Sequence, residues 1–234
     1  MNKQINMAII GTGAVGGYYG AKLQVAGHNV HFLAHSDFDH LKANGLRVDS
    51  PTGDLHLAQV NVYRQAKDMP PCDLVLIALK TTENHLLPAL LAPFNQKETR
   101  IITLQNGLGV EEEVHLAAPQ ATVLGGLCFI CSNKVGPGHI RHLDYGHIAM
   151  GRYQPGYPPS GPCPELQETV EQCNMAGIDV VAIDDLYHAR WKKLVWNIPY
   201  NGLSVLHETQ TDVLMNTPSF RMQVEELMNE VAQT

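Results

Sequence analysis

The 234-residue sequence contains no apolar run near the roughly 20 residues that a membrane-spanning helix needs. Its N-terminal stretch, MNKQINMAIIGTG, carries one lysine and an apolar run of four residues, too short for the core of a secretory signal. Cysteine is sparse and odd in number: Cys72, Cys128, Cys131, Cys163 and Cys173 form no disulfide framework. A reducing, cytoplasmic location is expected. Excess positive charge is lacking as well. The 16 Lys and Arg against 23 Asp and Glu leave a net charge of −7 with the 12 histidines neutral. That balance argues against nucleic acid or an anionic membrane as partner, yet it leaves room for a small anionic substrate in a locally basic site. Internal repeats and low-complexity tracts are absent. What remains is an ordinary globular balance, 44% hydrophobic and 17% charged, at a length suited to one large domain or one domain plus a smaller one.

The pattern along the chain divides near residue 184. Before it, short apolar runs alternate with helical segments. MAII (7–10) meets the glycine turn GTGAVG (11–16), a helix follows and stops at Gly27, and NVHFLA (29–34) reads as the next strand. This is the start of a doubly wound sheet, an α/β dinucleotide-binding fold of Rossmann type. DFDHLKANG reads as a short helix capped by Asp37 and ended by Gly45, and 45–60 as a hairpin around Pro51-Thr52-Gly53. DLVLIAL (73–79), RIITLQNG (100–107) and ATVLGGLCFI (121–130) read as buried parallel strands. HIRHLDYGHIAMG reads as a second hairpin turning near Asp144-Tyr145-Gly146, and residues 153–165, dense in proline and glycine, as an exposed loop. A helix ending at Gly177 and a strand, DVVAID, complete this part. From Asp185 onward only helical pattern is found. The expected organisation is a dinucleotide-binding domain, 1–184, and an all-helical domain, 185–234, for substrate binding and dimerisation.

In the last segment Thr217 is the expected N-cap, with Pro218 at the first helical position. Phe220, Val224, Leu227, Met228 and Val231 then share one face. With no chain after Thr234 to cover it, that face is expected to meet a partner chain, most simply in a homodimer, or the missing part of a longer protein.

Gly11-x-Gly13-x-x-Gly16 follows a strand and opens a helix, the context in which the pattern reads as a pyrophosphate cradle. Gly11 suits the tight turn, Gly13 the approach of a phosphate, and Gly16 close helix–sheet packing. The backbone of Gly11, Thr12, Gly13, Ala14, Val15 and Gly16, together with the positive end of the helix, would hold the phosphates. An NAD site usually carries an acid at the tip of the second strand. Here FLAHSD places none at the tip, with Asp37 late, and His35 and Ser36 instead can meet a 2′-phosphate, which favours NADP.

One further stretch, ARWKKLVWNIPYNGLS, aligns Lys193, Asn197 and Asn201 at i, i+4 and i+8 on one side of a helix, with Pro199 set to kink it. Trp191 and Trp196 are expected to pack its other sides. Taken singly, a strand-end lysine such as Lys80, a turn asparagine such as Asn106 and a polar helix stripe are all commonplace. Their joint occurrence carries the argument. GTGAVGGYYG, LIALKTTEN, LQNGLGVEE, VGPGHIRH and WKKLVWNIPYN stand in the order, and have the composition, that resemble the ketopantoate reductase (2-dehydropantoate 2-reductase) family, over residues 9 to about 211.

That resemblance implies NADPH-dependent reduction of a 2-keto acid to a 2-hydroxy acid in pantothenate synthesis. It implies Lys193 as the catalytic lysine, Asn197 and Asn201 on substrate, Lys80 near cofactor and substrate, and Asn106 at the nicotinamide end. Many members carry arginine where His35 stands, and members extend past this chain with a distal serine and glutamate that have no assigned counterparts here. The chemistry stands without the name. An ammonium can stabilise the alkoxide that develops as a ketone is reduced and can give it a proton, while neutral amides bind carboxylate or hydroxyl. Reduction or oxidation of another 2-keto or 3-hydroxy acid, and a non-catalytic dinucleotide-binding role, are the competing readings.

Other chemistries find less support. Cys128 and Cys131 form a C-x-x-C, but within a strand, where i and i+3 face opposite ways. They are read as structural, with Cys131 at the cofactor cleft, and no metal site is expected. Glu111-Glu112-Glu113 reads as a solvated first turn of a helix. Lys192, about 100° around the helix from Lys193, reads as a surface lysine.

Overall fold

A computed structural model of the chain describes residues 4–161 and 163–234. The first three residues of the N-terminal stretch and Pro162 of the proline-rich loop lie outside these. Two compact units are resolved, Met1–Leu186 and Tyr187–Thr234.

The first unit is built on a ten-stranded mixed sheet. Strand β1 (Asn6–Ile10) leads through the glycine turn into α1 (Ala14–Val25) and back to β2 (Asn29–Leu33), parallel to β1. The helix ends as expected, with Gly27 at positive φ and its N–H bonded to the Gln24 carbonyl. Helix α2 (Phe38–Asn44) precedes β3 (Leu46–Asp49) and β4 (Leu55–Leu57), the antiparallel hairpin read from the sequence. Asp37 occupies the N-cap position of α2, but its carboxylate does not cap the helix. Strand β5 (Asn61–Tyr63) extends the sheet beside β2; three residues are too few for a periodicity signal, and the sequence reading missed it.

Strand β6 (Leu74–Ile77) is buried throughout and pairs parallel with β1 and with β7 (Arg100–Thr103). Between them lie a 3-10 turn over Thr81–Leu86 and the short α3 (Leu87–Leu91), neither read from sequence. Helix α4 (Val110–Ala117) then leads to β8 (Thr122–Gly136), parallel to β7.

The expected hairpin at 139–151 is not formed. Residues His139–Arg152 make one continuous strand, β9, antiparallel to β8, and the reversal falls earlier, at Pro137-Gly138. The Asp-Tyr-Gly signal is absorbed as a β-bulge. Phe129 faces His147 and Ile130 faces Tyr145, leaving Gly146 as the extra residue. Tyr145 and Gly146 both have positive φ, and a Cβ on Gly146 would lie 3.1 Å from the Tyr18 hydroxyl. A turn signal is local; here a long partner strand outcompetes it. Helix α5 (Pro164–Met175) and β10 (Val180–Ala182), parallel to β9, close the unit. The loop at 153–161 is exposed only in part: Tyr153 is buried, and Tyr157 reaches inward.

The second unit holds α6 (Leu186–Leu206, of which Leu186 belongs to the first unit), α7 (Thr211–Asn216) and α8 (Pro218–Gln233). Helix α6 runs through Pro199 without interruption. Thr217 sits at the N-cap of α8 with no side-chain capping bond. The apolar face of α8 is not left open. Val224 is buried against Tyr200, Leu203 and Leu214, with Phe220, Leu227 and Met228 packed around them. The chain itself thus covers the centre of the face that was expected to need a partner, with Phe220, Leu227, Met228 and Val231 half-buried around Val224.

Candidate functional site

In the first unit the parallel ladder aligns four strand ends. Leu33 pairs with Ile10, Ile10 with Ile77, and Ile77 with Thr103. Three residues beyond this line lie Ser36, Gly13, Lys80 and Asn106, from 33 to 36, 10 to 13, 77 to 80 and 103 to 106. Candidates scattered over 93 residues of sequence thus all follow the carboxyl edge of one sheet, each three residues past a strand end that the ladder aligns. Strand order reverses direction between β1 and β6, the switch point at which α/β sheets bind ligands.

The glycine turn fits a dinucleotide. Gly11 has φ of 101°, and a Cβ there would lie 2.9 Å from Ala78 and Leu79 backbone, so only glycine lets the ends of β1 and β6 approach. A Cβ on Gly16 would collide with the Gly11 carbonyl and crowd Ile9 and Ala78. Around Gly13 a Cβ would meet nothing within 4 Å, leaving the space a phosphate needs. The first turn of α1, from Ala14 and Val15 onward, carries no acid, so the positive helix end is not neutralised. Thr12 donates its hydroxyl to the Leu33 carbonyl at 2.9 Å, tying the turn to the end of β2.

His35 and Ser36 are exposed just past β2. The late acid, Asp37, is engaged elsewhere. Its carboxylate accepts from Lys134 Nζ at 2.6 Å, from the Gly138 N–H at 3.0 Å and from the Ser36 hydroxyl at 3.1 Å. Burial opposes ionisation of Asp37, but these hydrogen bonds outweigh it and hold the carboxyl below its ordinary range.

Lys80 and Asn106 are exposed at their strand ends. Sequence reasoning missed the side chain between them. Gln105, 4% exposed, donates to the Leu79 carbonyl and to Asn84. An amide closing the apolar run IITL was the available signal. Glu111 also departs from expectation. It is fully buried rather than solvated, and the Tyr157 hydroxyl donates to it at 2.8 Å. Gly125, beside its carboxylate, has no side chain, which makes the room. Glu112 and Glu113 are exposed. Cys128 is buried and Cys131 exposed, as strand alternation requires, and next to Cys131 the Ser132 hydroxyl donates to the Ala14 carbonyl at 3.2 Å.

In the second unit Lys193, Asn197 and Asn201 lie along α6 at the expected spacing, the first two half-buried and Asn201 exposed. Lys192 is exposed, and Trp191 is half-buried. Trp196 is 53% exposed and stacks on Tyr200 with ring centroids 3.8 Å apart.

The arrangement matches known proteins along nearly its whole length. The family model described as Ketopantoate reductase PanE/ApbA matches residues 7–155, and its C-terminal counterpart matches 185–234. A 2-dehydropantoate 2-reductase of Nostoc sp. is 54% identical over 96% of this chain and 70% of its own length. The crystal structure of 2-dehydropantoate 2-reductase from Geobacter metallireducens superposes with a TM-score of 0.89 at 41% identity, covering 97% of this chain and 73% of that one. That of the Methylococcus capsulatus enzyme gives 0.82 at 35% identity, covering 97% and 72%. With the glycine cradle at the switch point, the lysine and asparagine at the neighbouring strand ends and the Lys-Asn-Asn helix all present, the chain belongs to the ketopantoate reductase family.

Proposed function

We propose that this protein reduces ketopantoate, a 2-keto acid, to the 2-hydroxy acid pantoate with NADPH. The observation that carries the reading is that Gly13, Lys80 and Asn106 each follow, by three residues, strand ends that pair in register at the switch point of the sheet. Residues 1–184 form the dinucleotide-binding part, and 185–234 supply substrate contacts.

NADPH, when bound, would supply hydride to the ketone carbon. Backbone N–H groups from Gly11 to Gly16 and the α1 dipole take the pyrophosphate. His35 and Ser36 take the 2′-phosphate, with Asp37 withheld by Lys134. Lys80 and Asn106 hold the reacting end, and Cys131 borders the cofactor. Lys193 stabilises the developing alkoxide and donates its proton, while Asn197 and Asn201 bind the carboxylate and hydroxyl of the acid as neutral donors. Neutral amides add no charge that would compete with the substrate for the lysine ammonium.

Mixing the protein with NADPH and ketopantoate and following loss of reduced-nicotinamide absorbance tests the reading. Turnover that Lys193→Ala lowers by about 10²- to 10⁴-fold is expected. A protein that binds NADPH but reduces no 2-keto acid, ketopantoate included, overturns it.

A cytoplasmic homodimer belongs to the same reading. Its support is no longer the face of α8 but the exposed Val205, Leu206 and Met222, which are 80%, 71% and 59% exposed. Light scattering should give twice the chain mass, and Val205→Glu with Leu206→Glu should halve it.

A further inference from the structure

The loops that carry Lys80 and Asn106 are joined by a directed chain of hydrogen bonds. The Thr103 hydroxyl donates to Gln105 Oε1 at 3.1 Å. Gln105 Nε2 donates to the Leu79 carbonyl at 3.0 Å and to Asn84 Oδ1 at 2.6 Å. Asn84 Nδ2 then donates to Glu113 Oε2 at 2.6 Å. Leu79 immediately precedes Lys80, and Asn84 lies in the 3-10 turn that follows it. Glu113 stands in the first turn of α4, into which the Asn106 loop leads. The residue before Lys80 is therefore fastened to the residue before Asn106, and the turn after Lys80 to segments on both sides of Asn106.

The chain has a polarity. Each amide presents its nitrogen onward and its oxygen backward, and the series ends on a carboxylate, which can only accept. Reversing one amide sets oxygen against oxygen, and a charge-bearing acceptor makes the last link the strong one. Simple loop closure would not require a buried glutamine with one donor group shared between a backbone carbonyl and a second side chain.

The geometry points to Gln105 and Asn84 as positioning residues that set the spacing of Lys80 from Asn106, and through it the seating of NADPH and keto acid. This rests on the reductase reading given above. Neither residue needs to touch a ligand; both act through their neighbours, where a misplacement of about 1 Å is enough to cost on the order of 100-fold in rate.

A charge exchange tests the chain in the full-length protein. Asn84→Asp still accepts from Gln105 but sets a second carboxylate beside Glu113. We expect it to weaken NADPH affinity, read by nicotinamide fluorescence, and to lower kcat/KM for the keto acid at least tenfold, on the scale of such misplacements, with the thermal midpoint near that of the parent. Adding Glu113→Gln restores a donor opposite the new carboxylate and should recover most of both losses. Gln105→Glu, of equal size but wrong polarity, should match or exceed the Asn84→Asp loss. Parental affinity and kcat/KM in Asn84→Asp, or no recovery in the double variant, overturns the proposal. If the parent binds NADPH but reduces no keto acid, the reductase reading falls, and the affinity comparison still decides on the chain. If the parent does not bind NADPH, both fall.

Discussion

The two units hold their chemical groups in different ways. In the first, Gly13, Lys80 and Asn106 come from three segments and follow neighbouring strand ends because β1, β6 and β7 pair in register. Those strands are buried on both faces, so slipping one by a residue would move every apolar side chain on it. In the second, Lys193, Asn197 and Asn201 are aligned by one helix, whose period alone sets their direction. The fully buried core beneath it consists of Tyr200, Leu203, Leu214 and Val224. Long-range pairing fixes the strand ends of the first constellation, and the Gln105–Asn84 chain sets the loops beyond them. The second is simple to specify and depends on few contacts.

The sharpest way to separate the two is to remove a group from each. Lys193→Ala should lower kcat by about 10²- to 10⁴-fold, the usual range for losing a general acid. NADPH affinity should stay near the parental value; an equal fall in both would place Lys193 with the cofactor contacts instead. The small core of the helical unit can be broken next. Leu214 is fully buried, and Leu214→Ala should cost about 2–5 kcal/mol in denaturant unfolding. A loss under about 1 kcal/mol would mean that the helical unit does not share in the measured transition.

The sheet unit can be tested at a close backbone approach inside the glycine turn. Gly16→Ala should cost about 1–3 kcal/mol by overpacking against the Gly11 carbonyl and Ile9. It should also weaken NADPH binding, which titration by fluorescence would show. The smallest effect is a pH dependence that also belongs to the sheet unit. His28 is buried, and its ring nitrogens have no hydrogen-bond partner among the described residues. Burial lowers its pKa from the ordinary 6.5. The unfolded chain therefore binds the extra proton more readily, so stability is full above pH 6.5 and is lost as pH falls from there through the folded value. His31, lowered by burial as well, adds to the same slope. Denaturant midpoints measured on either side of pH 6.5 check the sign, and His28→Leu should flatten the curve.

Legibility in the amino-acid sequence follows the same division. The glycine turn, the apolar β6 run and the Lys-Asn-Asn line are local patterns, and each appears where its period or turn chemistry puts it. Three expectations fail where a distant segment intervenes. Asp144-Tyr145-Gly146 has the composition of a turn, but β8 pairs across it and makes it a bulge. Glu111 has the position of a solvated first-turn acid, but the bare Gly125 and the Tyr157 hydroxyl make a buried place for it. The face of α8 has the pattern of an open apolar stripe, but α6 and α7 pack on it.

The sequence by itself determined a Rossmann-type start, a cofactor turn with its three glycines in the right spacing, and a lysine and two asparagines on one side of a helix. Period and backbone sterics act over a few residues and can be read directly. Only the tertiary structure decided that the strands leading to Ser36, Gly13, Lys80 and Asn106 end in register, that Gln105 fastens two of their loops, and that Asp37 is engaged by Lys134 and Gly138. Those outcomes rest on hydrogen bonds between residues as far apart as 97 and 101 positions, where register and burial, not local preference, choose the partner.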